Sequence, residues 1–237
     1  MQYRKREDFY GVYDAYKSYQ TPVLKAKHVR WYDREFWNPA KCSSSMSVLE
    51  IGSGTGEFLA YLKHKGVENF IGVEQDARAV EVMDRELAGH VRVSDVWEFL
   101  DGGCGEPFDR VVMLDVLEHF DHFEGAELLS RLKTVMKEDG LLVIRVPNMS
   151  SPWGGVYQFG DLTHKAAYTP DSIKQLGLAA GLESVAFLDQ RRGSPLKRFT
   201  EDCLHMILKK VLTDSREVWT ANMIAVMKPA PDGGAGP

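Results

Sequence analysis

Val48-Leu49-Glu50-Ile51-Gly52-Ser53-Gly54-Thr55-Gly56 is an apolar run that delivers three alternate glycines and then gives way to an amphipathic stretch. Strand, glycine turn, helix is the order in which an open α/β sheet begins a ligand site. Glycines let backbone approach a ligand closely, and the free amides of the turn can hydrogen-bond to it. The spacing Gly52-x-Gly54-x-Gly56 departs from the dinucleotide fingerprint, whose third glycine falls one residue later. Outward from this stretch, apolar runs recur at Phe70 to Val73, Val91 to Val93, Val111 to Leu114 and Leu141 to Val146. Amphipathic stretches at Gly56 to Lys65, Ala77 to Leu87 and Glu124 to Lys137 lie among them. Short runs apolar on both faces, alternating with helices, predict a parallel sheet covered on both sides. Pro170 to Ala180 reads as a further helix, Leu182 to Leu188 as a strand, Phe199 to Leu212 as a helix and Val218 to Met227 as the last strand.

Three of the early runs end in acids. Ile71-Gly72-Val73-Glu74 is followed by Gln75, Ser94-Asp95 by Val96, and Leu114-Asp115 by Val116-Leu117-Glu118-His119. A carboxylate about twenty residues beyond the glycine turn can accept hydrogen bonds from both hydroxyls of a ribose, and one after the third strand can accept from an exocyclic amino group. Each acid alone would equally suit the cap of the next helix. Together, after a glycine turn, they mark the crevice at the carboxyl ends of the strands.

On these residues the sequence resembles the class I S-adenosylmethionine-dependent methyltransferases, from Val48 to Met227. The resemblance implies an α/β, Rossmann-like seven-stranded sheet, mostly parallel with an antiparallel last strand and helices on both faces. It implies S-adenosylmethionine as cofactor and S-adenosylhomocysteine as product. Glu50, Gly52, Ser53, Gly54 and Gly56 would hold the methionine part, Glu74 and Gln75 the ribose, and Asp95 with Val96 the adenine. Asp115 and the rest of Leu114 to His119 would lie beside the methyl-bearing sulfur. Pro147-Asn148, Gly160-Asp161-Leu162-Thr163-His164 and Tyr168-Thr169-Pro170 look like the methyltransferases found with bacterial surface-polysaccharide (lipopolysaccharide, O-antigen) synthesis. Those enzymes also begin with a Phe- and Tyr-rich helical lid, so Tyr16, with Tyr10 and Tyr13, is expected to close on the cofactor. The implied acceptor is a sugar hydroxyl of a glycan, or a terminal phosphate on one. The basic helix before the last strand departs from the general pattern.

The expected organisation is a helical lid over residues 1–41, a methyltransferase domain over 42–228 with a long acceptor loop at 147–169 and a helical insertion at 195–213, and a disordered Pro/Gly/Ala tail at 229–237. Within the lid, Phe9 to Tyr19 and Pro22 to about Phe36 read as two helices. A hydroxyl acceptor needs its proton removed, and histidine suits that near neutral pH. His164, with Asp161 three residues before it as orienting partner, is the first candidate base; His119, beside Asp115, is the second. No metal is expected, and the residues that would assemble a divalent site are Asp115, His119, His122, Asp161 and His164.

The chain has 237 residues, 29 Lys and Arg against 34 Asp and Glu, and a net charge of −5. That balance argues against a protein that coats nucleic acid. No stretch is apolar enough to span a bilayer, and the basic, aromatic beginning lacks the apolar core of a signal peptide, so the expected location is the cytoplasm, with any attachment to the inner face of the membrane made through partners. Three dispersed cysteines predict reduced thiols. The charge is uneven: residues 42–190 carry 12 basic and 24 acidic side chains, residues 1–41 carry 9 and 5, and residues 191–237 carry 8 and 5. Positive flanks around an acidic centre favour an anionic glycan acceptor. A second copy of the chain or a glycosyltransferase would be its protein partner. The competing readings are a methyltransferase of a small metabolite, a catalytically idle cofactor-binding module and a nicotinamide dehydrogenase.

Overall fold

The computed structural model of the chain describes residues 6–214 and 217–231. Seven strands, β1 (Val48–Ile51), β2 (Phe70–Glu74), β3 (Val91–Val93), β4 (Phe108–Leu114), β5 (Met136–Pro147), β6 (Leu182–Asp189) and β7 (Asn222–Pro229), form one sheet in the order β3-β2-β1-β4-β5-β7-β6. The pairs from β3 through β5 are parallel, and β7 runs antiparallel to both β5 and β6. The helices are α1 (Tyr13–Lys17), α2 (Ala26–Tyr32), α3 (Glu57–His64), α4 (Ala77–Glu81), α5 (Arg85–Ala88), α6 (Val96–Asp101), α7 (His122–Thr134), α8 (Gly155–Gln158), α9 (Pro170–Ala179) and α10 (Pro195–Val211).

Because successive strand residues point to opposite faces, the apolar runs feed two core layers at once. Leu49, Val111 and Ile144 join one layer with Leu128, Leu132 and Ile173. Val48, Val112 and Val143 join the other with Phe58, Leu62, Tyr32 and Phe36. Tyr32 and Phe36 come from α2 and the π-helical turn Asp33–Trp37 that continues it. The N-terminal segment thus divides, with residues 26–40 in the core and residues 10–25 passing along the carboxyl ends of β1 and β2.

Several boundaries differ from those read in the sequence, for local reasons. The helix expected over Ala77 to Leu87 is broken, because Asp84 caps a new turn by accepting from the Glu86 amide. Asp95 caps α6 in the same way through the Trp97 amide. Pro22 starts no helix, and α2 begins at Ala26. The last strand begins at Asn222, and Val218 and Trp219 are buried outside it, Trp219 stacked on His205. The 195–213 segment is one helix, opened by the Ser194 cap and Pro195. Of the tail expected to be disordered, residues 232–237 lie outside the described residues, while Pro229 closes β7. Cys42, Cys104 and Cys203 are free thiols. No helix among the described residues is long and apolar enough to cross a membrane.

Candidate active site

The glycine turn is held against β2: the Gly52 and Ser53 amides both donate to the Val73 carbonyl, at 2.8 and 3.1 Å. Gly52, Gly54 and Gly56 have φ of 74°, 53° and 86°, in the left-handed region. A Cβ on Gly52 would stand 2.4 Å from Val116 Cγ2, whereas one on Gly54 would meet no atom of the described residues within 4 Å. Glycine at 54 therefore presents bare backbone to open space. Glu74 clasps the turn from the other side, its Oε2 accepting the Gly54 amide and its Oε1 the Asp76 amide, each at 2.8 Å. Burial raises the Glu74 carboxyl despite these bonds.

This turn forms one wall of a cavity of about 840 Å³. Gly52, Gly54, Glu74, Gln75, Asp95, Val96, Asp115 and His119 line it, joined by Tyr10, Tyr13, Lys17 and residues 18–23 of the N-terminal segment. Glu50, Ser53, Gly56 and Tyr16 are not among the lining residues. Glu50 is buried behind the turn, and burial followed by the charge of Glu74 pushes its carboxyl well up. Tyr16 donates to the Gly160 carbonyl at 2.8 Å on the outer surface, so the cavity takes the tyrosine rings of this segment from Tyr10, Tyr13 and Tyr19 instead. The segment is tied down where Tyr19 donates to Asp76 at 3.1 Å and Arg78 donates to the Tyr10 carbonyl at 3.2 Å.

Asp115 ends β4 with φ of 60°, unusual for a residue with a side chain, and faces the cavity. Arg145 holds it in a fork, Nε on Oδ1 at 2.9 Å and Nη2 on Oδ2 at 2.6 Å, and reaches buried Glu35 at 3.3 Å. Burial opposes ionisation of Asp115, but the Arg145 guanidinium overrides it and keeps the carboxyl below its usual range. A carboxylate so held is a fixed negative charge rather than a proton acceptor. Arg145, for its part, has its charge matched by two acids.

Beyond Asp115 the long loop folds back onto the end of β4. The Lys165 and Ala166 amides both donate to the Glu118 carbonyl, at 2.7 and 3.1 Å, and Gln158 Nε2 donates to the Ala166 carbonyl at 3.0 Å. The result gathers His119, Asp161 and His164, whose ligating atoms lie within 4.8 Å of one another. Thr163 Oγ1 donates to Asp161 Oδ1 at 2.5 Å and stands 3.0 Å from His119 Nδ1. Tyr10 Oη stands 3.1 Å from the same nitrogen; in the tautomer in which Nδ1 donates to Thr163, whose own proton is committed to the carboxylate, Nε2 keeps the lone pair. Tyr13 donates to Asp161 Oδ2 at 2.9 Å, and the Lys17 ammonium is 3.3 Å from the same atom. Asp161 is partly buried, yet bonds from Thr163 and Tyr13 and the charge of Lys17 hold its carboxyl far below the usual range. Burial, reinforced by the neighbouring His164, depresses His119 to about 4. Burial also lowers His164.

Of the residues singled out in the sequence, the structure joins His119, Asp161 and His164 but not His122, whose ring meets Tyr168 edge-on, nor Asp115, which is committed to Arg145. Only His119 of the two candidate bases lines the cavity; His164 packs behind it, ring centroids 4.7 Å apart. Thr163 as a link and Glu118 as a buried neighbour carry no sequence signal beyond lying inside the quoted motifs. Tyr13 and Lys17 reach Asp161 from 148 and 144 residues away, which no local pattern announces.

A family model described as a methyltransferase domain matches residues 19–186. Over 100 residues the chain is 31% identical to a ribosomal protein L11 methyltransferase of Dictyoglomus turgidum, a match covering 42% of this chain and 32% of that protein. The chain spans between 32% and 62% of the length of the curated relatives it matches. Among solved structures it is similar to a SAM-dependent methyltransferase from Archaeoglobus fulgidus, with TM-score 0.63 and 22% identity over 93% of this chain and 100% of that one. It is also similar to the plantazolicin methyltransferase BpumL, solved with a triazolic desmethylPZN analog and SAH, with TM-score 0.60 and 16% identity over 94% and 91% of the two chains. At these identities the structural likenesses speak for the fold.

Proposed function

The chain belongs to the methyltransferase domain family, and from that premise we propose that it transfers the methyl group of S-adenosylmethionine to a sugar hydroxyl of a glycan. The observation that carries this reading is a single cavity with two unlike ends. One end has the bare Gly54 backbone and the carboxylates of Glu74 and Asp95; the other has His119 backed by Thr163 and Asp161. The first end suits a ligand with an amino-acid part, two ribose hydroxyls and an exocyclic amine. The second suits a hydroxyl that must lose a proton.

When bound, the cofactor supplies an electrophilic methyl on a sulfonium: the acceptor oxygen bonds the carbon as the C–S bond breaks, and the pair stays on sulfur as a thioether. The bare backbone at Gly54 and the Glu74 carboxylate would hold its methionine and ribose, and Asp95 with Val96 its adenine. Asp115, kept ionised by Arg145, places negative charge where a cation is to lie. His119, uncharged at neutral pH because its pKa is held near 4, has an open Nε2 for the acceptor's proton. Tyr10, Tyr13 and residues 18–23 exclude water from the displacement.

An anionic acceptor is favoured by a knot of arginines. Arg34, outside the cavity lining, is lowered first by burial and then by Arg198, against the opposing charge of Glu35, with Arg191 and Arg30 adding to the lowering, and its Nε is buried without a hydrogen bond. Like charges so close gain from an anion among them. The second reading, a hydroxyl of a small metabolite, is favoured by the cavity's size, within the roughly 300–1,000 Å³ usual for small-molecule sites. The reaction is assigned to the cytoplasm. For a second copy or a glycosyltransferase, the candidate surface is α10, which exposes Phe199, Met206, Ile207 and Val211.

The test is mass spectrometry of glycan extracts and of a small-hydroxylate panel incubated with the chain and methyl-labelled cofactor. Labelled glycan, lost in His119→Ala at unchanged cofactor affinity, is the expected result. Labelled metabolite alone would select the second reading, and no labelled product beside intact cofactor binding would leave an idle binding module.

A further inference from the structure

We infer that His119, Asp161 and His164, with Glu118 beside His164, form a binding site for one divalent first-row cation, of the zinc, cobalt, iron or manganese kind. Glu118 supplies the independent observation. It is 1% exposed, both its carboxylate oxygens are buried without a hydrogen bond, and its Oε1 is 4.0 Å from His164 Nε2. Burial, and then the charge of Asp115, push its carboxyl well up, so it is ionised only at a cost that a cation beside it would offset.

The distances fit an ion between these groups better than contacts among them. His164 Nε2 is 4.0 Å from Glu118 Oε1 and 4.0 Å from Asp161 Oδ2, too long for hydrogen bonds. Two ligand atoms that each stand about 2.0–2.2 Å from an ion are separated by roughly 3–4 Å, so these two gaps need little closure, while the cluster as a whole, with its atoms within 4.8 Å of one another, must draw in around the ion. The tautomers also agree. His164 Nδ1 lies 3.0 Å from the Gln158 carbonyl and so donates to it, which turns Nε2, with its lone pair, towards the two acids. A ligating histidine characteristically gives its other N–H to a carbonyl in this way. His119 turns Nδ1 to the hydroxyls of Thr163 and Tyr10, at 3.0 and 3.1 Å, so Nε2 is the ring nitrogen it would offer an ion.

The charges facing the cluster are Lys17 at Asp161, Arg145 at Asp115, and the acids themselves. Lys17 is 44% exposed on a flexible stem, so an incoming ion can replace its ammonium at Asp161 Oδ2. Two imidazoles with two carboxylates suit the cations named, whereas magnesium would prefer oxygen alone. The loop bonds that hold Asp161 to Ala166 against Glu118 form the site without any ion present. The inference stands on this cluster whatever the acceptor proves to be; with an ion bound, the His119 lone pair is taken up, and the cation would acidify a hydroxyl reaching that end of the cavity in place of the imidazole base.

The experiment is titration of the chelator-stripped full-length chain with Co²⁺, read by its visible absorption, and with Zn²⁺, read by competition against a chromophoric chelator. One ion per chain is expected, with affinity falling more than about 10–100-fold, the usual cost of an outer-shell loss alone, in His164→Ala and in Glu118→Gln. His122→Ala, outside the cluster, should bind as the parent does. Absence of a stoichiometric ion in the unsubstituted chain would overturn the inference, whatever the variants do, as would binding indifferent to both His164→Ala and Glu118→Gln. Methyl transfer by a chain that takes up no stoichiometric ion in the titration would sink this site and spare the proposed reaction. An ion bound by a chain that labels no acceptor would do the reverse.

Discussion

Replacing Glu74 tests whether one side chain both builds the cofactor end and reads its ligand. In the free protein each carboxylate oxygen accepts one amide, Gly54 on Oε2 and Asp76 on Oε1. Glu74→Gln preserves shape but has a single acceptor oxygen, so one amide must face an N–H group. A hydrogen bond to a charged group is worth about 1.5–3 kcal/mol, and burial of the carboxyl subtracts from the gain, which points to a loss of about 2 kcal/mol. In a chain of this length that lowers Tm by about 4–8 °C. Glu74→Ala removes both bonds and any contact with the ribose hydroxyls, so S-adenosylmethionine affinity should fall by about 1–3 kcal/mol, roughly 5–150-fold. Differential scanning fluorimetry and equilibrium dialysis measure the two effects separately. Unchanged affinity in a folded Glu74→Ala protein would refute the ribose contact, and an unchanged Tm in Glu74→Gln would refute the clasp on the turn.

Gly52→Ala and Gly54→Ala share a left-handed φ, which costs about 1–2 kcal/mol for alanine, but only the first methyl meets Val116, at 2.4 Å. Gly54→Ala should therefore lose cofactor affinity with a small drop in Tm, and Gly52→Ala should lose stability as well; equal melting curves would contradict the geometry. His119 carries a sign that can be checked by denaturant titration. Its folded pKa, about 4, lies below its ordinary 6.5, so the unfolded chain binds a proton that the folded one refuses. Its contribution is present above about pH 6.5, is lost as pH falls towards 4 and is flat below, a change of up to roughly 3 kcal/mol. His119→Asn should remove that part of the slope, and an identical pH profile in the variant would show that the ring is not depressed.

The sheet was legible in the sequence wherever a strand is apolar on both faces, as β1, β4 and the second half of β5 are. The first half of β5 was not, since Lys137, Glu138 and Asp139 are exposed and look like the end of a helix. Val218 and Trp219 misled in the opposite sense: their apolarity reports burial, Val218 in a core layer and Trp219 against His205 of α10, not pairing in a strand. At the site, glycines and strand-end acids could be named from spacing because backbone fixes them locally. The ranking of His164 over His119 could not, because which ring faces the cavity depends on how a loop more than forty residues away folds onto Glu118. The same long reach hid Arg145 as the partner of Asp115 and the role of Tyr13 and Lys17 at Asp161.

Every described residue that lines the cavity precedes Ala166, yet the sheet beneath them is completed only by β7, which slots between β5 and β6. Ile224 and Val226 enter one core layer and Met223, Ala225 and Met227 the other. While the chain is being synthesised, all the chemistry is thus present before the strand that fixes it, and β5 and β6 wait as two open edges. A message cut short before Asn222 would encode every described residue that lines the cavity and leave β5 and β6 as two open edges.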